Sequence, residues 1–216
     1  PAFGHGQCRK TARLARQPLE ALKTARLLAK HQGFTSGAAE GLLRSLATET
    51  LESARDAEQL RKAWSQLDAS DRKDPLIVAR GAARMASLGA TAEARQWLAP
   101  MWEQMDKWPA DACDALARAL CQSLIGLEAD WLPRLDAAAG PALRNPGLAL
   151  AVGLALAERQ LWGKARSLLL SAANDLQLDA ERRRMAWTRL GELAERDSRT
   201  EEAARFYRLA ALADRA

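Results

Sequence analysis

The chain has 216 residues, of which 48% are hydrophobic and 5% aromatic, and its formal net charge is +5. Alanine and leucine dominate the hydrophobic fraction, which favours helices and argues against a β-sandwich. No apolar run approaches the ~18 residues of a membrane span, and the first residues lack the pattern of a signal peptide. Because the chain begins at Pro1 rather than at a methionine, we interpret it as a soluble fragment of a longer protein.

Positive charge is concentrated at the amino-terminal end. The first 34 residues hold a single acid, Glu20, against seven basic residues: Arg9, Lys10, Arg13, Arg16, Lys23, Arg26 and Lys30. Nucleic-acid binders usually carry their charge on the folded recognition surface, often interleaved with aromatic residues. This segment has only Phe3 and Phe34, so a solvated or membrane-proximal helix face explains it better than phosphate binding does. We expect no nucleic-acid partner.

Helix-start signals recur along the whole chain, and most pair an N-cap residue with a proline or an acid in the first turn. In chain order they are Pro18, Thr35-Ser36, Asp56, Asp74-Pro75, Thr91, Pro109, Asp130, Asn145-Pro146, Asp179 and Ser198. Apolar-periodic runs lie between them, and no alternating strand pattern occurs. The spacing predicts an all-α protein of about eleven helices in antiparallel pairs.

The same signals divide the chain into three parts. We predict a basic helical segment at residues 1–34, a degenerate helical repeat at 35–74, and repeats over 75–216 with boundaries at 75–108, 109–144, 145–178 and 179–216. The repeats are inferred from three pairs of small residues, each pair twelve positions apart: Ala82 and Ala94, Gly153 and Ala165, and Gly191 and Ala203. A recurring spacing of this kind marks a helical repeat array, and a nonrepeating helical bundle is the alternative.

The last repeat resembles the tetratricopeptide repeat. Its consensus Trp, Leu, Gly, Ala, Phe and Ala positions hold Trp187, Leu190, Gly191, Ala203, Tyr207 and Ala210. A glycine inside a helix costs about 1 kcal/mol relative to alanine. The resemblance implies a reason for the glycine at this position: Gly191 lets the second helix approach the first closely, and Tyr207 fills the space beyond. The implied fold is an α-solenoid.

In tetratricopeptide proteins the first helix of each pair lines a concave groove. Carried over by position, the groove residues are Leu76, Ala79, Ala83, Ala86, Gly147, Leu150, Leu154, Ala157, Met185, Thr188, Glu192 and Glu195. Repeats that clamp acidic peptide tails need Lys and Asn here, whereas this chain offers leucines and a glutamate. We therefore expect the groove to bind an amphipathic helix or a protein surface. The alternative is that Leu150 and Leu154 pack against a neighbouring helix.

A narrower resemblance involves three segments. "LRKAWSQLDASDRKDP" (60–75), "RQLWGKARSLL" (159–169) and "RRRMAWTRLGELAE" (182–195) are similar to the repeat region of the HemY family of bacterial haem-biosynthesis operons. That family has an amino-terminal membrane anchor, absent here, followed by tetratricopeptide repeats. The resemblance implies an inner-membrane protein whose repeats face the cytoplasm and which acts late in protohaem synthesis.

Residues suited to catalysis or metal binding are scarce. His5 and His31 are too few and too far apart for a zinc site, and Glu192 with Glu195 is more typical of a solvated helix face than of an acid–base pair. We predict no catalytic residue, no metal and no cofactor.

The three cysteines, Cys8, Cys113 and Cys121, form no CxxC motif. Cys113 and Cys121 share an apolar helical face, which indicates buried free thiols and a reducing, cytoplasmic environment.

These patterns predict a non-catalytic scaffold that binds protein partners, with haem-biosynthesis enzymes as the partners that the HemY resemblance implies. A general assembly scaffold without a haem link, or an unrecognised porphyrin-handling enzyme, are the alternatives.

Overall fold

The structure is a computed structural model that describes residues 18–30, 36–142 and 144–213. The described residues form eleven α-helices and no strand, which confirms the all-α prediction. The helices are α1 (Pro18–Lys30), α2 (Ser36–Glu52), α3 (Ala57–Ser65), α4 (Pro75–Ser87), α5 (Thr91–Trp102), α6 (Ala110–Cys121), α7 (Leu132–Ala142), α8 (Pro146–Glu158), α9 (Trp162–Asn174), α10 (Ala180–Arg196) and α11 (Thr200–Leu212). Short 3-10 turns occupy Asp71–Lys73, Met105–Lys107 and Ala129–Trp131.

Most of the basic amino-terminal segment lies outside the described residues. Within α1, the Arg26 guanidinium forms ion pairs with Asp68 and Asp71, which precede α4. Leu22 and Ala25 of the same helix are buried in the core. This part of the predicted basic segment therefore packs onto the helical domain.

Four helices begin at side-chain caps that the sequence predicts. Asp56, Asp74, Asn145 and Asp179 each accept a hydrogen bond from a backbone N–H of the first turn. These caps satisfy donors that have no partner inside the helix. The caps fix the starting points of α3, α4, α8 and α10, and Pro75 and Pro146 stand at the first helical positions of α4 and α8.

The turns that lead into α5, α9 and α11 share one geometry. Each contains a residue with positive φ: Gly89 (84°), Gln160 (60°) and Ser198 (58°). In each turn the backbone N–H of the following residue donates to the carbonyl five residues before it. The N···O distances are 3.1 Å from Ala90 to Met85, 2.9 Å from Leu161 to Leu156 and 2.8 Å from Arg199 to Ala194. This is the Schellman pattern, which closes a helix at a left-handed residue. Ser198, expected as an N-cap, is that left-handed residue instead.

Helix packing follows two relations. The helices α4 and α5, α8 and α9, and α10 and α11 pack as adjacent pairs, while α2, α4, α6, α8 and α10 also contact one another in that order. The central helix α8 is buried along its whole length from Gly147 to Ala157. A helix that is apolar on every side needs neighbours on every side, and α6, α7, α9 and α10 supply them.

Two helical glycines mark the closest helix–helix approaches. A Cβ on Gly153 would lie 2.9 Å from Leu169 Cγ, and a Cβ on Gly191 would lie 2.5 Å from Tyr207 Cε1. Real Cβ atoms do not approach neighbours this closely, so an alanine at either position requires its neighbour to move. The small residues opposite, Ala165 and Ala203, are buried, as are Ala82, Ala94, Leu190 and Ala210. Trp187 is half-buried and stacks on Phe206 at 5.6 Å between ring centroids.

The connection between α6 and α7 is held by a buried arginine. Arg95 on α5 is 1% exposed, and its guanidinium donates to the carbonyls of Ser123, Ile125 and Gly126 and to both carboxylate oxygens of Glu128. Hydrogen bonding to Arg95 lowers the pKa of Glu128. A charge buried this deeply needs such complete pairing. Arg95 therefore fixes the connection between α6 and α7.

Candidate partner-binding groove

An open groove runs across three of the stacked helices, α2, α4 and α6. Its cavity volume is about 870 Å³. We call it the main groove, and its lining residues are Gly41, Arg44, Ser45, Thr48, Glu49, Glu52, Leu76, Ala79, Arg80, Ala83, Asp111, Asp114, Ala115, Arg118, Ala119 and Gln122. The groove is therefore built from helices that are not consecutive in sequence.

Three of the residues predicted to line a groove lie in the main groove, namely Leu76, Ala79 and Ala83 of α4. They occupy the centre of it, because α4 packs between α2 and α6. The α2 and α6 walls were not predicted.

The α6 wall becomes recognisable once the structure shows that α6 begins at Ala110 and not at Pro109, where the sequence predicted the start. Aligning Ala110, the first residue of α6, with Pro75, the first residue of α4, places Asp111, Asp114 and Arg118 opposite Leu76, Ala79 and Ala83. All of these residues line the main groove. Counting from the observed start of α6 therefore identifies this wall, whereas counting from Pro109 gives Ala110, Cys113 and Ala117, which do not line the main groove.

An ion-pair cluster joins α6 to α10 across the beginning of α8. Arg182 bonds to Asp114 and, at 2.7 Å, to Asp179, and Arg118 lies 3.0 Å from Asp114. A Cβ on Gly147 would collide with the Asp114 carboxylate, so the glycine makes room for the cluster. Partial desolvation opposes ionisation of Asp179, but hydrogen bonds from Arg182 outweigh it and lower the pKa of that carboxyl. The cluster separates the main groove from the helices beyond it.

A smaller depression lies beyond the cluster, between α6, α8 and α10. Its volume is about 500 Å³. We call it the carboxy-terminal depression, and the lining residues are Cys121, Leu124, Leu154, Glu158, Glu181, Arg184, Met185, Thr188, Arg189 and Glu192. Four of the predicted groove residues are in this set: Leu154, Met185, Thr188 and Glu192.

The remaining groove predictions need correction. Leu150 is 0% exposed and Ala157 is 1% exposed, so both pack in the core and present no surface to a partner. Gly147 and Ala86 are buried as well. Glu195 lines neither cavity, and its carboxylate accepts a 2.8 Å hydrogen bond from the Tyr207 hydroxyl. Partial desolvation and this hydrogen bond raise the pKa of Tyr207 to about 12.

The two described cysteines are free thiols with different surroundings. Cys113 is buried and its thiol lies 3.3 Å from the Met105 carbonyl, whereas Cys121 is half-buried at the edge of the carboxy-terminal depression. Desolvation raises the pKa of both thiols, in Cys121 to about 12. Cys8 lies outside the described residues. Thiolate character, which reactive cysteines need, is therefore suppressed at both described positions.

Metal-ligating side chains do not cluster in residues 18–30, 36–142 and 144–213, where no three His, Cys, Asp or Glu residues are arranged to hold a metal ion. His5 and His31 lie outside these ranges. Among the described helices, none is both long and apolar enough to cross a bilayer. Comparison of the chain with models of protein families, with curated proteins and with solved structures returned no match.

Proposed function

We propose that this chain is a non-catalytic tetratricopeptide-repeat scaffold that binds protein partners in the main groove. The observation that carries the proposal is the groove itself, which three stacked helices from different parts of the chain form together. A surface of this kind suits an extended segment or a helix of another protein, because it offers many shallow contacts in place of one enclosed pocket.

Recurring local geometry supports the repeat assignment. The left-handed residues Gly89, Gln160 and Ser198 are separated by 71 and 38 positions, the same offsets that separate Ala82, Gly153 and Gly191. A turn and a close-packing position that recur together indicate one helix–turn–helix unit used several times.

We further propose a role in late protohaem synthesis, at the bacterial inner membrane with the repeats in the cytoplasm. This narrower proposal rests on the HemY resemblance of the sequence. In the structure Asp74 caps α4 and Arg196 lies 4.2 Å over the Trp162 ring. Asp74 and Trp162, which belong to the HemY-like segments, thus have capping and packing roles.

Filling the main groove tests the proposal. Ala83 is half-buried on the central helix α4, so Ala83→Trp should project an indole into the groove and leave the fold intact. The control is Ala204→Trp, at an exposed position of α11 outside both cavities. Binding to each purified late-pathway haem enzyme of the source organism is measured by surface plasmon resonance, with helicity checked by circular dichroism.

We expect wild type and Ala204→Trp to bind at least one of these enzymes, and Ala83→Trp to bind it at least about tenfold more weakly, a difference of ~1.4 kcal/mol. Equal binding by a folded Ala83→Trp variant contradicts the main groove as the binding site. Binding to none of the enzymes contradicts the haem link and favours the general assembly scaffold. Conversion of a porphyrin substrate by the purified chain alone refutes the non-catalytic assignment.

A further inference from the structure

The charges of the main groove are not balanced. Each of its three arginines already has a carboxylate partner: Arg44 bonds to Asp74 at 2.8 Å, Arg80 lies 3.7 Å from Glu52, and Arg118 bonds to Asp114 at 3.0 Å. The positive charge of the groove is therefore largely neutralised by the protein itself.

Two carboxylates of the main groove have no such partner. Glu49 on α2 and Asp111 on α6 are exposed, and within the part of the chain that the structure describes neither forms an ion pair. They stand on the two walls that flank α4. The uncompensated charge in the main groove is thus negative, although the net charge of the chain is +5.

Six of the sixteen residues that line the main groove are small. Gly41, Ser45, Ala79, Ala83, Ala115 and Ala119 come from all three helices. No aromatic residue is among the lining residues that the structure describes, whereas small-molecule sites are mostly apolar and often aromatic. Small residues on all three helices leave room for the backbone of a second helix to lie close to them.

From the proposed groove we infer the chemistry of its occupant: a partner helix that bears lysine or arginine side chains, which pair with Glu49 and Asp111. The inference rests on the proposed function, because it concerns the same groove. It excludes the acidic peptide tails that some tetratricopeptide repeats bind, since those require unpaired basic side chains. Complementary charge of this kind mainly supplies specificity and faster association.

The inference is tested with two synthetic probes on the whole chain. Both are fluorescent, alanine-based helical peptides with blocked ends, one carrying lysines along one face and the other glutamates at the same positions. Affinities are measured by fluorescence anisotropy for wild type, for Glu49→Gln with Asp111→Asn, and for Ala83→Trp. The matched control is Glu58→Gln with Glu201→Gln, which removes two exposed carboxylates in the first turns of α3 and α11, outside the main groove.

We expect wild type to bind the lysine peptide at least about tenfold more tightly than the glutamate peptide. Losing each groove carboxylate should weaken the lysine peptide roughly two- to fivefold, the range typical of exposed ion pairs, while the control double variant retains wild-type affinity. Added salt should reduce the difference between the two peptides, because exposed charges are screened.

The possible failures are distinguishable. If Ala83→Trp removes peptide binding while Glu49→Gln with Asp111→Asn does not weaken it, the main groove stands and the charge inference is overturned. Equal binding of both peptides by wild type, or binding of neither, also overturns the inference, and the haem-enzyme experiment then decides the proposed function. Lysine-peptide binding that Ala83→Trp leaves unchanged contradicts the groove in both proposals.

Discussion

Replacing Gly191 by alanine should show whether the last helix pair depends on close approach. All three atoms nearest to a Cβ at this position belong to the Tyr207 ring, at 2.5, 2.8 and 2.8 Å. The atoms of an aromatic ring cannot move independently of one another, unlike the end of a flexible side chain. The ring must swing outward as a body, which strains the 2.8 Å hydrogen bond from its hydroxyl to Glu195.

The expected magnitude is a difference of two opposing effects. Alanine gains ~1 kcal/mol over glycine in a helix interior. Overpacking costs ~1–3 kcal/mol, and weakening of the hydrogen bond adds ~0.5–1.5 kcal/mol. Gly191→Ala should therefore lower the free energy of unfolding by ~0.5–3.5 kcal/mol. In a Tyr207→Ala background the obstacle is gone, so the same substitution should instead raise it by up to ~1 kcal/mol.

The assay is urea and thermal unfolding of wild type, both single variants and the double variant, followed by circular dichroism. For a chain of this length, 1 kcal/mol corresponds to a change of ~2–4 °C in Tm. Gly41→Ala in α2 is the control, because a Cβ there meets nothing within 4 Å, and it should be neutral or stabilising. A Gly191→Ala effect of the same size and sign in both Tyr207 backgrounds refutes the close-approach argument.

Two further predictions concern burial. Leu150→Ala should lower the free energy of unfolding by ~2–5 kcal/mol, because the side chain is fully buried. The control Leu176→Ala removes a side chain that is 80% exposed and should change the free energy of unfolding by less than ~0.5 kcal/mol. Similar urea midpoints for the two variants would contradict core packing of Leu150. In a Cys8→Ser background, Cys113 and Cys121 should react with a thiol reagent at pH 8 far more slowly in the native state than in denaturant, because desolvation raises both thiol pKa values. Complete native labelling at the denatured rate would show that the thiols are not protected.

The sequence predicts the helices and their pairing well because those signals are local. A capping side chain followed by proline fixes the helix starts at Asp74 and Asn145, and Gly153 and Gly191 lie where neighbouring helices come closest. The start of α9 was missed because Gln160, which adopts the left-handed conformation of its turn, lacks the glycine that usually marks one. The role of Arg95 was missed for a different reason. Its guanidinium bonds to loop carbonyls ~30 positions away in sequence, and hydrophobic periodicity does not predict contacts over such a separation.

Positions carried over from the repeat consensus do not predict every groove residue correctly. Groove-lining helices need one face that tolerates water, and α4 and α6 have one, with Arg80 and Asp111 among their groove residues. The helix α8, "PGLALAVGLALAE", has no charge before Glu158, so it has no such face, which accounts for the burial of Leu150. Because α8 is buried and the Asp114–Arg182 ion pair lies over its first turn, the main groove and the carboxy-terminal depression are separate cavities. Under the proposed function, a partner that occupied both cavities would have to span that ion pair.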